Sequence, residues 1–330
     1  MRAVGIKAFG GPEVLEMMTL GDPEPGPGDV RVKVMFAGVN HIDVHVRRGD
    51  FRGADRPPLE PLVLGYEGAG EVDAVGAGVT AIEPGARVAW CCVPGSHAER
   101  MVVPAWRLVP VPASVPLDIA CALQLDGALA HALTVSAFPV RADDWLMVQG
   151  GAEVVSQLVI QVAKAQGARV IAIVRREVDA AVPRAVGADL TIVATDGGRV
   201  VEQVREATGG QGCHAVLDGV GRDTIATSIA CCRRRGVVVL YGAVSGAVDA
   251  IRPDDLAAAG SIFLTRLHLP DYMQDAAEVR WRSGDLLDAW QAGQLRFDVG
   301  RILPLDGARE AHRALEGPTA TGKILLKLAG

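Results

Sequence analysis

The chain has 330 residues, 49% hydrophobic and 22% charged, with a formal net charge of −6. That length predicts about two domains, and the composition excludes a chain that is disordered for most of its length. The acidic balance, with a pI near 5.7, excludes the electrostatic footprint of a nucleic-acid binder. No run of about 18 apolar residues marks a membrane span. The opening MRAVGIKAFGGPEVLEMM lacks the apolar block of a secretory signal, so a cytoplasmic location is expected. Six cysteines are too few for a disulfide scaffold and lack the C-x2-C spacing of a zinc site. Two pairs, Cys91–Cys92 and Cys231–Cys232, are adjacent in sequence. Strand neighbours point to opposite faces, so such a pair rarely meets one metal.

Residues 1 to about 120 read as mostly strand: Val30–Phe36, Gly68–Val75, Arg87–Cys92 and His97–Val103 are short β-rich runs between Pro/Gly clusters. A compact antiparallel barrel or sandwich follows from that pattern. The pattern then changes. Trp145–Gln149 is a short apolar strand, and Val154–Gln166 carries apolar residues at helical spacing, with Gly167 placed to end the helix. Arg169–Val174, Leu190–Val193, His214–Asp218, Val237–Tyr241 and Ser261–Thr265 are further strands. Helical segments lie between most of them, which predicts a doubly wound parallel sheet of Rossmann type. Pro183 interrupts the helix after the second of these strands, where an interior proline costs about 3 kcal/mol. Two more helices, Ala276–Ala292 and Gly307–Glu316, precede a last strand Lys323–Leu328. The expected division is a β-rich domain over 1–120, completed by 266–330, and a Rossmann-type domain over 121–265. Arg233, Arg234 and Arg235 read as a solvated turn.

Several segments in this order carry a resemblance. They are Ala37-Gly-Val-Asn-His-Ile-Asp43, Leu64-Gly-Tyr-Glu-Gly-Ala-Gly70, Pro84-Gly-Ala-Arg-Val88, Thr208-Gly-Gly-Gln-Gly212, Asp218-Gly-Val-Gly221, Ala311-His-Arg-Ala-Leu-Glu-Gly317 and Thr321-Gly-Lys-Ile-Leu325. Together they span nearly the whole chain, which resembles the zinc-free quinone oxidoreductase branch of the medium-chain dehydrogenase/reductase superfamily. The resemblance implies a GroES-like catalytic domain, a Rossmann domain, NADPH, a small-molecule substrate and a homodimer. The activity it implies is hydride transfer to a quinone, an enone or another activated double bond. Zinc-dependent relatives place a Cys at Asn40 and a His at Tyr66, so no metal is expected here.

The cofactor positions depart from the family's pattern. A pyrophosphate loop needs glycine for a tight turn onto a helix N-terminus. Here Gly151 is followed by Ala152, Glu153, Val154, Val155 and Ser156. A carboxylate at Glu153 competes for the positive end of the helix dipole and repels a dinucleotide. Near the 2′-phosphate the family's Ser and Lys positions read Arg175 and Asp179, and Arg175 or Arg176 could compensate with a guanidinium fork. No acidic residue ends that strand to bind a ribose diol, which disfavours NAD. The turns Asp218-Gly-Val220 and Tyr241-Gly242 match cofactor-side turns, although they also shape strand ends. The family's Gly-x-Thr-Ala reads Gly127-Ala-Leu-Ala130, losing a hydroxyl.

For chemistry, Asn40 matches the family's active-site asparagine, whose amide could hold a substrate oxygen. His45 stands where many relatives have Tyr and is a candidate general acid; another aromatic lies near Phe51. Asp43 matches a family residue that ties the turn after Asn40. Asp126 and His131, with His41, Asp50 and His97, are the titratable residues that could move protons if the nucleotide is not used. Cys91, Cys121 and Cys213 lie in apolar surroundings where thiols are usually inert. Three readings stay open: an NADPH-dependent reductase, a cofactor-independent redox-neutral enzyme on the same scaffold, and a non-catalytic binding protein.

Overall fold

The computed structural model describes residues 1–50, 61–194, 196–317 and 322–328. The chain divides into two compact units. One holds Met1–Ala128, Met273–Ala292 and Phe297–Gly330; the other holds Leu129–Tyr272 and Gly293–Arg296.

In the first unit, strand β1 (Arg2–Ile6) pairs with β2 (Glu16–Thr19) and β4 (Leu62–Val63) in a three-stranded sheet. The larger sheet is built around β3 (Asp29–Val39) and β5 (Glu67–Val75), then β6 (Arg87–Cys91), β7 (Arg100–Pro104) and β8 (Val109–Pro110). It is closed on the other side by β16 (Lys323–Lys327), next to β15 (Val299–Pro304). Val30, Val32 and Val34 alternate inward with Trp90, Val88 and Leu326 to fill the core, the period-2 pattern of a half-buried strand. Helix α1 (His41–Arg48) leaves the end of β3. This helix is absent from the strand reading of the sequence. Eight residues give too few turns for a periodic signal, and its N-terminus is fixed by tertiary partners. Helices α2 (Leu117–Ala122) and α3 (Leu125–His131) follow, and the first unit runs through Ala128.

The second unit holds six parallel strands: β9 (Trp145–Gln149), β10 (Arg169–Val174), β11 (Leu190–Val193), β12 (Cys213–Asp218), β13 (Cys232–Leu240) and β14 (Phe263–Arg266). Their spatial order is β11-β10-β9-β12-β13-β14, the doubly wound arrangement expected from the strand–helix alternation. Helix α4 (Val154–Ala165) links β9 to β10 and ends at Gly167 with φ +84°. Pro183 is buried in α5 (Ala181–Ala185), a helix of five residues. A proline in a first turn loses no intrahelical bond, so the expected interior cost does not arise. The arginine run is not a turn: Arg233, Arg234 and Arg235 belong to β13, with Arg235 at φ +55°.

Candidate active site

Strand register assembles one charged cluster in the first unit. β16 runs antiparallel to β3 with Ile324 opposite Val39, which brings Lys323 level with Asn40. β5 pairs with β3 so that Gly68 faces Ala37, and Glu67 comes to lie over Gly38. A Cβ on Gly38 would stand 1.8 Å from Glu67 Oε1, so only glycine leaves room for that carboxylate.

Asn40 is the N-cap residue of α1, but its side chain turns away from the helix. Its Nδ2 donates to Glu67 Oε1 at 2.9 Å and its Oδ1 accepts from Lys323 Nζ at 2.6 Å. Lys323 also donates to Asp126 Oδ2 at 2.7 Å and pairs with Glu67. Glu67 Oε2 accepts the backbone N–H of Leu125 at 2.8 Å. Lys323, Glu67 and Asn40 are all buried. Burial pushes the Glu67 carboxyl up to about 7, although the Lys323 ammonium opposes the shift. Burial works against the Lys323 charge, yet Asp126 and Glu67 outweigh it and hold the ammonium above its ordinary range. The three donors of Lys323 are used, and among the described residues one Nδ2 hydrogen of Asn40 has no acceptor. A donor polarised by a fixed cation in a dry site is suited to a developing oxyanion.

Asp43 supplies the cap that the Asn40 side chain does not. Its carboxylate accepts from the backbone N–H of Asn40 at 2.8 Å and of Gly65 at 3.0 Å. Burial nevertheless raises its carboxyl to about 7. His41 lies next to Asn40, and burial followed by the nearby His45 lowers its imidazole below the ordinary value. His45 stands one turn further along α1, half-exposed, with Nδ1 3.2 Å from Asp50 Oδ2. Phe51 lies outside the described residues. His97, a candidate for proton transfer in the sequence, is buried, and its Nε2 donates to the carbonyl of Gly38 at 3.0 Å. His131 is buried and belongs to the second unit.

The sequence reading did not single out Glu67 or Lys323. Each is the first residue of its strand and lies in a segment that carries the family resemblance, which was the available signal.

In the second unit the sheet order reverses between β9 and β12, the position where open α/β sheets take ligands. The loop after β9 turns at Gly150, with φ +68°, and Gly151 packs closely on Ala172. Glu153 is the N-cap residue of α4, so its carboxylate stands at the helix end. Ser156 is buried and hydrogen-bonds the carbonyl of Gln149 and the Tyr241 hydroxyl, 3.2 Å away. Val154 and Val155 form the first turn of α4, and both are half-buried.

At the end of β10, Arg176 is bidentate to Asp179, with both contacts 2.7 Å, while Arg175 is exposed. The fork offered by Arg176 is therefore occupied within the chain. Asp218 is also committed. Its carboxylate accepts from the backbone N–H groups of Val220 and Gly221 and from the hydroxyls of Thr224 and Ser228. It shapes the turn and has no free oxygen to offer a cofactor. Gly242 closes against Gly219, leaving no space for a side chain.

Residues 26–113 match the alcohol dehydrogenase GroES-like domain and residues 154–278 match the zinc-binding dehydrogenase family. A 2-haloacrylate reductase from Burkholderia sp is 36% identical over 98% of both chains. The chain belongs to the quinone oxidoreductase branch of the medium-chain dehydrogenase/reductase superfamily. The fold agrees: a mycobacterial structure complexed with NADPH superposes with a TM-score of 0.94 at 36% identity, covering 99% of this chain and 100% of that one. Escherichia coli quinone oxidoreductase complexed with NADPH gives 0.94 at 31% identity, with the same coverage. As a member of this branch the chain is an oxidoreductase. Among its described residues no helix is long and apolar enough to cross a membrane.

Proposed function

We propose that the chain is an NADPH-linked reductase of activated carbonyl compounds, enones or quinones, in which Asn40 holds the substrate oxygen. The observation that carries this reading is the Asn40 amide, fixed at both ends by Glu67 and Lys323 with one N–H left over. The names of the relatives, a haloacrylate reductase and quinone oxidoreductases, support the substrate class.

The nucleotide fits the second unit in shape. The turn at Gly150, the close packing of Gly151 and the N-terminus of α4 would hold a pyrophosphate. Arg175, exposed at the end of β10, would meet a 2′-phosphate. Charge opposes the fit, because the Glu153 carboxylate stands at the helix end at a cost on the order of 1 kcal/mol. When bound, the cofactor supplies the hydride and the reducing electrons.

The chain's own residues do the rest. As the electron pair moves onto the substrate oxygen, the Asn40 N–H meets growing negative charge, and the buried Lys323 ammonium behind the amide strengthens that donor. Glu67 and Asp126 keep the ammonium in place. His45, reaching Asp50 across a half-exposed surface, is the candidate source of the proton. A homodimer belongs to the same reading: the edge strand β14 leaves Phe263 exposed, and sedimentation equilibrium checks it.

The test is a titration with NADPH and NADH, followed by nucleotide oxidation with 1,4-benzoquinone and 2-cyclohexenone. Saturable NADPH binding, with turnover that collapses in Asn40→Ala, is the expected result. Failure to bind NADPH at millimolar concentration overturns the reading in favour of nucleotide-free proton transfer at His41, His45 and Asp126.

A further inference from the structure

Two histidines are buried beside one another in the first unit, and their hydrogen bonds fix which nitrogen of each carries the proton. His312, on the helix Ala308–Glu316, meets Arg47 Nη1 with its Nδ1 at 3.0 Å. A guanidinium only donates, so this Nδ1 is bare and the ring carries its proton on Nε2. His97, between β6 and β7, presents its Nε2 to the carbonyl of Gly38 at 3.0 Å. A carbonyl only accepts, so the proton of this ring is also on Nε2, and Nδ1 is an acceptor. Both rings are fully buried. Burial lowers His97 to about 4 and His312 to about 3, so both are neutral at physiological pH.

Each ring then has one nitrogen left. Among the described residues, His97 Nδ1 and His312 Nε2 are buried without a hydrogen-bond partner. The first is an acceptor and the second an N–H donor. The ring centres stand 6.3 Å apart, with the planes at 86°. A direct N–H···N bond of about 2.9 Å would draw the centres to about 5 Å. One intervening water, with two bonds of about 2.8 Å, suits ring centres about 6–7 Å apart.

We propose that a single buried water molecule bridges the two rings, accepting from His312 Nε2–H and donating to His97 Nδ1. The two nitrogens select this occupant by their chemistry. A cation cannot accept from the N–H of His312, and an anion cannot donate to the bare nitrogen of His97. A buried donor or acceptor with no partner is costly, and a water that satisfies two of them is part of the fold.

The bridge has a definite place in that fold. Arg47, which holds His312, is bidentate to Glu316 and also donates to the carbonyl of Gly10. His97 packs on Gly65, where a Cβ would stand 2.5 Å from its Cδ2. Its Nε2 holds Gly38, two residues before Asn40 in the chain. The water therefore joins the helix Ala308–Glu316 and the Arg47 end of α1 to the strand end that presents Asn40. The inference depends on neither the substrate nor nucleotide binding.

Nuclear magnetic resonance of protein carrying isotope-labelled histidine tests the bridge in solution. Both rings are expected as neutral Nε2–H tautomers. In rotating-frame spectra the Hε2 proton of His312 is expected to show a dipolar cross-peak to water, opposite in sign to a peak from chemical exchange. In His97→Phe, which removes the acceptor, that cross-peak is expected to be lost. A crystal structure of the wild type is expected to show one density peak within about 3.2 Å of both nitrogens.

Four outcomes overturn the proposal. They are an Nδ1–H tautomer at either ring, a direct contact between the two rings, a dry gap in the crystal density, and a water cross-peak that survives His97→Phe. If circular dichroism shows that His97→Phe does not fold, the wild-type tautomers and density decide alone.

Discussion

Two strand-to-helix junctions hold the proposed sites of this chain, and they are built on opposite terms. At the end of β3, Asn40 leads into α1 inside a buried cluster in which Lys323 pairs with both Glu67 and Asp126 and every Lys323 donor is used. At the end of β9, the turn at Gly150 leads into α4, and there the backbone geometry survives while Glu153 places a carboxylate at the helix end. Buried charges are interdependent, because removing one leaves the others unpaired in a low dielectric. A loop whose partner is an exchangeable ligand carries no such internal penalty.

The largest effect expected from that contrast is at Lys323. Lys323→Met strands Glu67 and Asp126, and a loss of about 3–5 kcal/mol is expected in urea denaturation. A loss under about 1 kcal/mol would break the contrast. Asn40→Ala removes the proposed oxyanion donor, and kcat/KM for an enone or quinone is expected to fall about 10²–10³-fold, with the fold retained by circular dichroism.

Acid sensitivity comes next. Burial lowers His97 from 6.5 to about 4. Below pH 6.5 the unfolded chain takes up a proton that folded His97 refuses, so this contribution to stability falls between pH 6.5 and 4 by about 3 kcal/mol in total. Asp43 and Glu67, raised to about 7 by burial, act in the opposite sense over the same range. Their ionised forms burden the fold above the ordinary carboxyl range, and that burden lifts as pH falls. The His97 share is therefore read as the difference between the parent and His97→Gln urea profiles, and equal profiles would discard it.

The junction at α4 should respond more gently and in the other direction. Glu153→Gly is expected to tighten NADPH about tenfold, near 1.4 kcal/mol, measured by calorimetry at low salt. Asp179→Ala releases Arg176, whose pair with Asp179 is partly exposed. A gain of less than about 1 kcal/mol in NADPH over NADH is expected from a pair of that kind. If both substitutions leave nucleotide affinity unchanged, the charges at this junction are irrelevant to the cofactor.

The architecture was legible because periodicity reports it locally. The buried parallel strands Trp145–Gln149 and Arg169–Val174 are continuous apolar runs, and Gly167 stops the helix between them. Asn40 and Asp43 could be picked out through a motif. Their functional arrangement could not, because the partners lie far along the chain: Lys323 meets Asn40 only through the β16–β3 register.

Composition and pattern thus determined a two-part α/β scaffold with an acidic residue in the turn after the first parallel strand, because these properties are written in neighbours along the chain. Which charges face each other and which groups already occupy the Asp218 oxygens were decided by strand register and backbone twist. Electrostatic energies depend on distance and desolvation, and neither exists until the sheets have formed.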